Sequence, residues 1–299
     1  MDLDLPAARA LLAGELQAAL AQLEPDLRLA AARLPQRFGK AASTTTLVDA
    51  FTDLTLLYPM LIGEGLLPSS LHRAQPFLVP HALLVIYAHV DDRRQDGQIE
   101  VESVEARLAD WLLVEACRRL DVASSATGHC GAIEVLLAAY AEAQAIRVSD
   151  PQQLPDLIVR RHLPGIVSTI TLLDANQCEP TGVDRVADGY RHLVLSLQWI
   201  DDLRDLEEDL ATGADNLLLC RLPTQIRNEA SLPDAIGCVH AMGLFSIALA
   251  EALRHVSDAR EIASQLGCRT LAGLLEQRQR WITDRRPAVP PPFARSPGL

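Results

Sequence analysis

The chain has 299 residues, 49% hydrophobic and 22% charged, an ordinary globular balance with length for one large domain or two small ones. Its net charge of −12 excludes the basic footprint that a phosphate backbone requires, so nucleic acid is not an expected partner. Lys40 is the only lysine, and the six cysteines are scattered without a CxxC pair, as expected of reduced thiols in a cytoplasmic protein.

The opening residues MDLDLPAARALLAGEL are acidic and lack a basic region followed by an apolar core, so they do not read as a signal peptide. From ARALLAGEL to LAAARL the apolar residues recur at three- and four-residue spacing in an Ala- and Leu-rich context, which predicts helix. FLVPHALLVIYAHV (Phe77 to Val90) comes nearest to a membrane span, but it is short and holds a Pro and two His, so no span is expected. It runs into YAHVDDRRQDG, which reads as a helix C-terminus stopping at Gly97. Further helical periods follow at 101–120, 132–146, 234–256 and 259–282, with breaks at LLPSS, SDPQQLPD and CEPTG. Alternating β-branched runs and internal repeats are absent. The expectation is one all-α domain over residues 1–286, a bundle of about ten helices, followed by a proline-rich, disordered tail at 287–299.

Chemistry concentrates in two acidic stretches. SLQWIDDLRDLEEDLATG carries six acidic residues, Asp201, Asp202, Asp205, Glu207, Glu208 and Asp209. On one continuous helix, Asp201, Asp205 and Asp209 fall at i, i+4 and i+8 on one face, while Ile200, Leu203, Leu206 and Leu210 form an apolar stripe. Like charges at that spacing repel, and only Arg204 breaks the run, so the pattern asks for a counter-ion. In YAHVDDRRQDG, Asp91, Asp92 and Asp96 crowd a helix C-terminus that already carries partial negative charge. Oxygen-only clusters suit hard cations, Mg2+ above all, held by carboxylates, waters and substrate phosphates. The plain alternative for either stretch alone is a solvated acidic helix face. His89, His162 and His192 read as packed or hydrogen-bonded histidines.

The two stretches together resemble the class I isoprenoid synthase superfamily, in which aspartate-rich motifs sit on opposing helices of an α-bundle. DDRRQD is a DDxxxD variant of the first motif, with Gln95 in place of the third Asp of DDxxD. QWIDDLRDLEED resembles the QxxDDxxD motif of trans-isoprenyl diphosphate synthases through Gln198, Asp201, Asp202 and Asp205. The same stretch also fits the terpene synthase NSE spacing, with Asp201, Asp205 and Asp209 as the three ligands. RRHLPG resembles the terpene synthase diphosphate sensor and helix break, with Arg161, Pro164 and Gly165 in those places. WITDRRP is similar to the terminal WxxxTxRY segment without its Tyr, with Arg285 or Arg286 as the diphosphate-binding arginine. The RRG and GKR-type segments of chain-elongating synthases are missing: no RRG follows Asp96, and RFGKAAS offers Lys40 alone.

The resemblance implies a terpene synthase that ionises an allylic prenyl diphosphate, followed by cyclisation or proton loss. Mg2+, about three ions, would be held by Asp91, Asp92, Asp96, Asp201, Asp205 and Asp209. Arg161 and Gly165 are the candidate catalytic residues, and Arg161, Gln198, Asp202, Arg285, Arg286 and Tyr87 the candidate substrate-binding ones. Phe77, Trp111, Tyr140, Tyr190, Trp199 and Phe245 are further candidate cavity aromatics, few because aromatics are only 4% of the chain. The same resemblance implies a homodimer, in addition to the cytoplasmic location expected from the scattered cysteines. The alternatives are a prenyltransferase of the same fold and a non-catalytic helical binding protein.

Overall fold

The computed structural model describes residues 3–38, 46–67, 71–95, 99–100, 103–124, 131–146, 151–229 and 231–285. Every regular element among them is helical. In chain order the α-helices are α1 Leu5–Leu20, α2 Pro25–Phe38, α3 Asp53–Leu56, α4 Tyr58–Leu66, α5 Leu78–Gln95, α6 Val104–Ser124, α7 Gly131–Ala145 and α8 Leu154–Arg161. They continue as α9 Pro164–Ala175, α10 Pro180–Arg204, α11 Leu206–Thr212, α12 Thr224–Glu229, α13 Leu232–Ala241, α14 Leu244–Gln265 and α15 Arg269–Arg285. The all-α expectation holds, but the described residues form fifteen helices rather than about ten. Breaks fall where the apolar period runs on uninterrupted. Gly243 at φ 66° separates α13 from α14, and Gly267 at φ 75° separates α14 from α15, left-handed conformations that glycine adopts at little cost. Pro25 opens α2, where its missing N–H costs nothing. Asp96, Arg286, Lys40 and the 287–299 tail lie outside the described residues. No single described helix is long and apolar enough to cross a membrane.

The chain forms two compact units. The first comprises Met1–Gln144, Arg161–Ala187 and Ala263–Leu271. Its centre is α5, packed against α6, α9, α1 and α3, with Leu83, Leu84 and Ile86 fully buried. A helix apolar on all sides is a core helix, which accounts for the near-span of apolar residues at Phe77–Val90. Each such buried side chain contributes about 1.5–3 kcal/mol.

Within that core His81 is fully buried, with Nε2 2.6 Å from the Thr55 carbonyl oxygen and Nδ1 without a partner. Nε2–H therefore donates to Thr55, and desolvation lowers the pKa from 6.5 to about 4, the Thr55 bond opposing. The unfolded chain takes up this proton first. Stability from keeping His81 neutral is thus fully present above about pH 6.5 and is lost as the pH falls through about 4. At its limit this is worth about 3 kcal/mol. His81→Gln keeps an N–H donor without the titration, so its melting temperature should fall less steeply than that of the wild type between these pH values. Parallel acid limbs in the two proteins would contradict this.

The α4 helix meets the turn before α15 at very short range. A Cβ on Gly65 would lie 2.3 Å from the Leu266 carbonyl oxygen and 2.9 Å from the Cys268 nitrogen, both backbone atoms that cannot swing aside. Next to it the buried Glu64 carboxylate accepts from the Thr270 N–H at 2.8 Å and the Thr270 hydroxyl at 3.0 Å, capping the first turn of α15. Gly65→Ala should cost about 3 kcal/mol, a fall of roughly 6–12 °C in melting temperature. Gly14→Ala, where nothing lies within 4 Å, should be neutral or stabilising. Equal melting temperatures for the two variants would rule out the close approach.

The second unit comprises Ala145–Arg160, Asp188–Ile262 and Ala272–Leu299. Its core takes Leu193, Val194, Trp199 and Ile200 from α10, Ala248, Ala252, Val256 and Ala259 from α14, and Leu275 and Ile282 from α15. Small residues bring α10 and α14 close: a Cβ on Gly189 would sit 3.1 Å from Ile262 Cγ2.

Candidate active site

In the first unit the last turns of α5 carry Tyr87, Asp91 and Asp92. Asp91 is buried, and both of its oxygens are engaged. Oδ2 accepts from the Tyr140 hydroxyl of α7 at 2.6 Å, and Oδ1 accepts from Arg94 at 2.5 Å. Arg94 also reaches Asp110 of α6 at 3.4 Å. Tyr87 and Tyr140 meet edge to face, with ring centroids 5.9 Å apart. Burial first and the Asp91 charge second push the Tyr87 phenol up to about 12. Burial and the hydrogen bond to Asp91 carry Tyr140 well above the usual range. Both phenols therefore stay protonated at neutral pH.

Asp92 differs from its neighbour. Its side chain reaches solvent. Desolvation still raises its carboxyl above the usual value and Asp91 adds to the rise, while the His162 and Arg161 charges pull it down. Arg161 is the last residue of α8, and its Nε donates to the Ala143 carbonyl at 3.3 Å. The chain breaks at His162 and Leu163, and α9 starts with Pro164. The Gly165 N–H donates to the His162 carbonyl across the break at 3.0 Å. This unit thus brings Tyr87, Asp91, Asp92 and Arg161 into one electrostatic neighbourhood, with Gly165 in the turn beside them. His162, read from the sequence as a packed or hydrogen-bonded histidine, belongs to the same neighbourhood.

In the second unit α10 does not run straight through the acidic stretch. It ends at Arg204, Asp205 bends at φ −98° and ψ 8°, and α11 begins at Leu206. The expected single helix from Asp201 to Asp209 is therefore two, although the Asp205 N–H still reaches the Asp201 carbonyl at 2.9 Å and the Asp209 N–H the Asp205 carbonyl at 2.8 Å. The bend is held from outside the acidic stretch by Asn216. Its Nδ2 donates to the Asp202 carbonyl at 3.0 Å and to Asp209 Oδ2 at 2.7 Å, and its Oδ1 accepts from the N–H groups of Leu218 and Leu219 at 2.9 Å each.

Asp202 points inward. It is buried, Oδ1 accepts from Gln198 Nε2 at 2.6 Å, and Oδ2 accepts from the Leu217 N–H at 2.6 Å. Desolvation raises its pKa from 3.8 to about 7 against those two donors. Asp201 is half exposed and pairs with Arg204 at 3.0 Å, Asp205 is exposed, and Asp209 is half-buried. Gln198 and Asp202 are thus engaged with each other, while Asp201 and Asp205, and the neighbouring Glu207 and Glu208, turn their carboxylates toward solvent.

Besides Arg204, a second arginine electrostatically coupled to Asp201 is Arg278 of α15. Burial lowers its pKa, Asp201 raises it and Arg204 lowers it. Its Nη2 donates to the Ser196 carbonyl at 3.5 Å, and its buried Nε has no hydrogen-bond partner. Arg285 is exposed, with its guanidinium carbon 3.9 Å from the Trp281 ring centre. Sequence reading missed Asn216 and Arg278 because neither lies in an acidic stretch. The one available cue for Arg278 was a cationic residue on the inward side of a C-terminal helix. Arg94 was visible in DDRRQD at i+3 from Asp91, but its role as that residue's partner was not.

No family model and no curated protein matches the chain. Among solved structures it is similar to the geranylgeranyl pyrophosphate synthetase from the archaeon Geoglobus acetivorans, with a TM-score of 0.64 and 15% identity over 92% of this chain and 97% of that one. At that identity the likeness speaks for architecture: the chain has the all-α fold of the class I isoprenoid synthases.

Proposed function

We propose that this protein is a Mg2+-dependent enzyme that ionises an allylic prenyl diphosphate, with the terpene synthase outcome of cyclisation or proton loss. The observation that carries the reading is the contrast at the end of α5. Asp91 is spent on Tyr140 and Arg94, while Asp92 faces solvent with the Arg161 and His162 charges acting on it. A carboxylate supported in this way, beside cationic groups, suits a metal-bridged anion.

The donor chemistry fits Mg2+, since the accessible groups are all carboxylate oxygens. The candidate ligand within the first unit is Asp92; within the second unit, taken by itself, the candidate ligands are Asp201, Asp205 and Asp209. Asp91 and Asp202 have both oxygens engaged, so we assign them to positioning. When bound, Mg2+ supplies Lewis acidity and neutralises the diphosphate. Arg161 carries positive charge for the leaving diphosphate. The break before Pro164 leaves helix-end backbone groups beside that arginine. Arg278 supplies a desolvated cation near Asp201, and we assign it the anion-binding role expected of Arg285 or Arg286.

A second reading, chain elongation by the same ionisation, is favoured by the likeness to a geranylgeranyl pyrophosphate synthetase. The sequence lacks the RRG that elongating synthases carry after the first motif, which favours ionisation of one diphosphate. Incubation of the full chain with Mg2+ and geranyl, farnesyl or geranylgeranyl diphosphate, with and without isopentenyl diphosphate, decides between them. Hydrocarbon or alcohol from one substrate alone supports the synthase. Product formed only with isopentenyl diphosphate transfers the assignment to elongation.

A further inference from the structure

Within the second unit, away from the acidic stretch, three metal-ligating side chains converge. His192 of α10 and His255 and Asp258 of α14 place one ligand atom each within 4.8 Å of one another. The Nδ1 atoms of His192 and His255 are 2.9 Å apart, and Asp258 Oδ2 is 3.4 Å from His192 Nδ1. Ligand atoms around a tetrahedral ion with bonds of about 2.0–2.1 Å stand about 3.3 Å apart, so these spacings need only small adjustment. The ligand pair on α14 is i, i+3 and lies on one helix face. Gly189 and Ile262 allow the close helix approach that brings His192 across.

The hydrogen bonds fix the tautomers. Arg254 lies 2.8 Å from His255 Nε2, and a guanidinium only donates, so His255 accepts there and carries its proton on Nδ1. Burial and the Arg254 charge hold His255 neutral, its pKa lowered to about 4. Its Nδ1–H then donates to His192 Nδ1, which leaves the His192 proton on Nε2, facing Asp188 Oδ1 at 3.8 Å. A carboxylate behind a histidine in this way orients metal-ligating imidazoles. Asp258 Oδ2, a second acceptor, lies 3.4 Å from the same His192 Nδ1, whose one lone pair takes the His255 N–H; two acceptor atoms this close suit a shared cation. Arg254 partly answers that charge, lying 3.3 Å from Asp258 Oδ2 while also bound to Glu251.

We propose that His192, His255 and Asp258 form a transition-metal site of the Zn2+ class that ties α10 to α14, with Asp188 orienting His192 and Arg254 competing for the site. Two imidazoles and one carboxylate favour Zn2+, Co2+ or Ni2+ over Mg2+. Binding shifts the His255 proton from Nδ1 to Nε2 and moves Arg254 off that nitrogen. The partly exposed Arg254 has room to leave.

The test uses the full chain after chelator treatment, with Mg2+ held at millimolar concentration so that the acidic stretches are saturated. Zn2+ is titrated by calorimetry and melting temperature, and Co2+ by its visible absorption. One Zn2+ per chain is expected, with a rise of about 5 °C in melting temperature at about 100 Kd and an intense tetrahedral Co2+ spectrum. His192→Asn and Asp258→Asn should each weaken binding more than about tenfold. Asp258 is partly exposed, so its variant tests the site even if the His192 variant folds poorly. Asp92→Asn and Asp201→Asn should bind Zn2+ unchanged, and Arg254→Met should bind it about tenfold more tightly. Zn2+ affinity unaffected by both ligand variants, or no binding by wild type and Arg254→Met alike, overturns the site. Unchanged or weaker affinity in Arg254→Met overturns the competition.

Discussion

Asp92→Asn is expected to lower kcat/KM for prenyl diphosphate consumption by about 10^3-fold, roughly 4 kcal/mol of transition-state stabilisation, while the melting temperature stays within about 2 °C. The two halves of this result come from one geometry. Asp92 reaches solvent and anchors no buried donor in α5, so its charge is free to serve a ligand. Removing that charge should also raise the Mg2+ concentration needed for half-maximal activity. Asp91→Asn should behave differently. It places an amide where Tyr140 and Arg94 both donate, and leaving one buried donor unpaired costs about 1–3 kcal/mol. A stable, active Asp92→Asn enzyme would remove the residue from the metal set. A fully stable Asp91→Asn protein would refute the positioning role.

Asn216→Leu is expected to be the most damaging single change in the second unit. It strips partners from the buried Leu218 and Leu219 N–H groups, from the Asp202 carbonyl and from Asp209. With about 1–3 kcal/mol for each buried group left unpaired and partial relaxation, the loss should be roughly 3–5 kcal/mol. For a chain of this size each kcal/mol shifts the melting temperature by roughly 2–3 °C. Activity should fall even below the melting transition, because the bend that turns Asp205 away from the line of α10 loses its brace. Thermal melts and initial rates at a temperature where the variant remains folded separate the two effects. A variant that melts normally, or one with full activity while folded, would show that the bend holds itself.

The fold was legible because it rests on periodicity. Ala- and Leu-rich stretches at helical spacing, with no alternating β-branched runs, leave little room for anything but a helical bundle. Helix number was undercounted in part because Gly243 and Gly267 interrupt the backbone without interrupting the apolar face, and in part because helices as short as α3, α11 and α12 are too brief to show a period. The acidic clusters were legible as charge patterns, but spacing alone could not separate carboxylates that face solvent from those that brace the backbone. Asp91 beside Asp92, and Asp201 beside Asp202, look equivalent in sequence, and long-range partners distinguish them: Tyr140, 49 positions from Asp91, and the Leu217 N–H, 15 from Asp202. Asn216 and Arg278 carried no local signal, since their importance comes only from what the fold brings to them. The break before Pro164 and Gly165 was readable for the opposite reason, because a proline at N1 is a local constraint.

The most direct test of the central claim is release of inorganic diphosphate by the purified full chain from geranyl, farnesyl and geranylgeranyl diphosphate. Continuous turnover of at least one substrate is predicted with Mg2+, abolished by EDTA, restored by added Mg2+, and lost in Asp92→Asn. No diphosphate release from any of them, with or without isopentenyl diphosphate, or release that survives EDTA unchanged, would contradict the assignment.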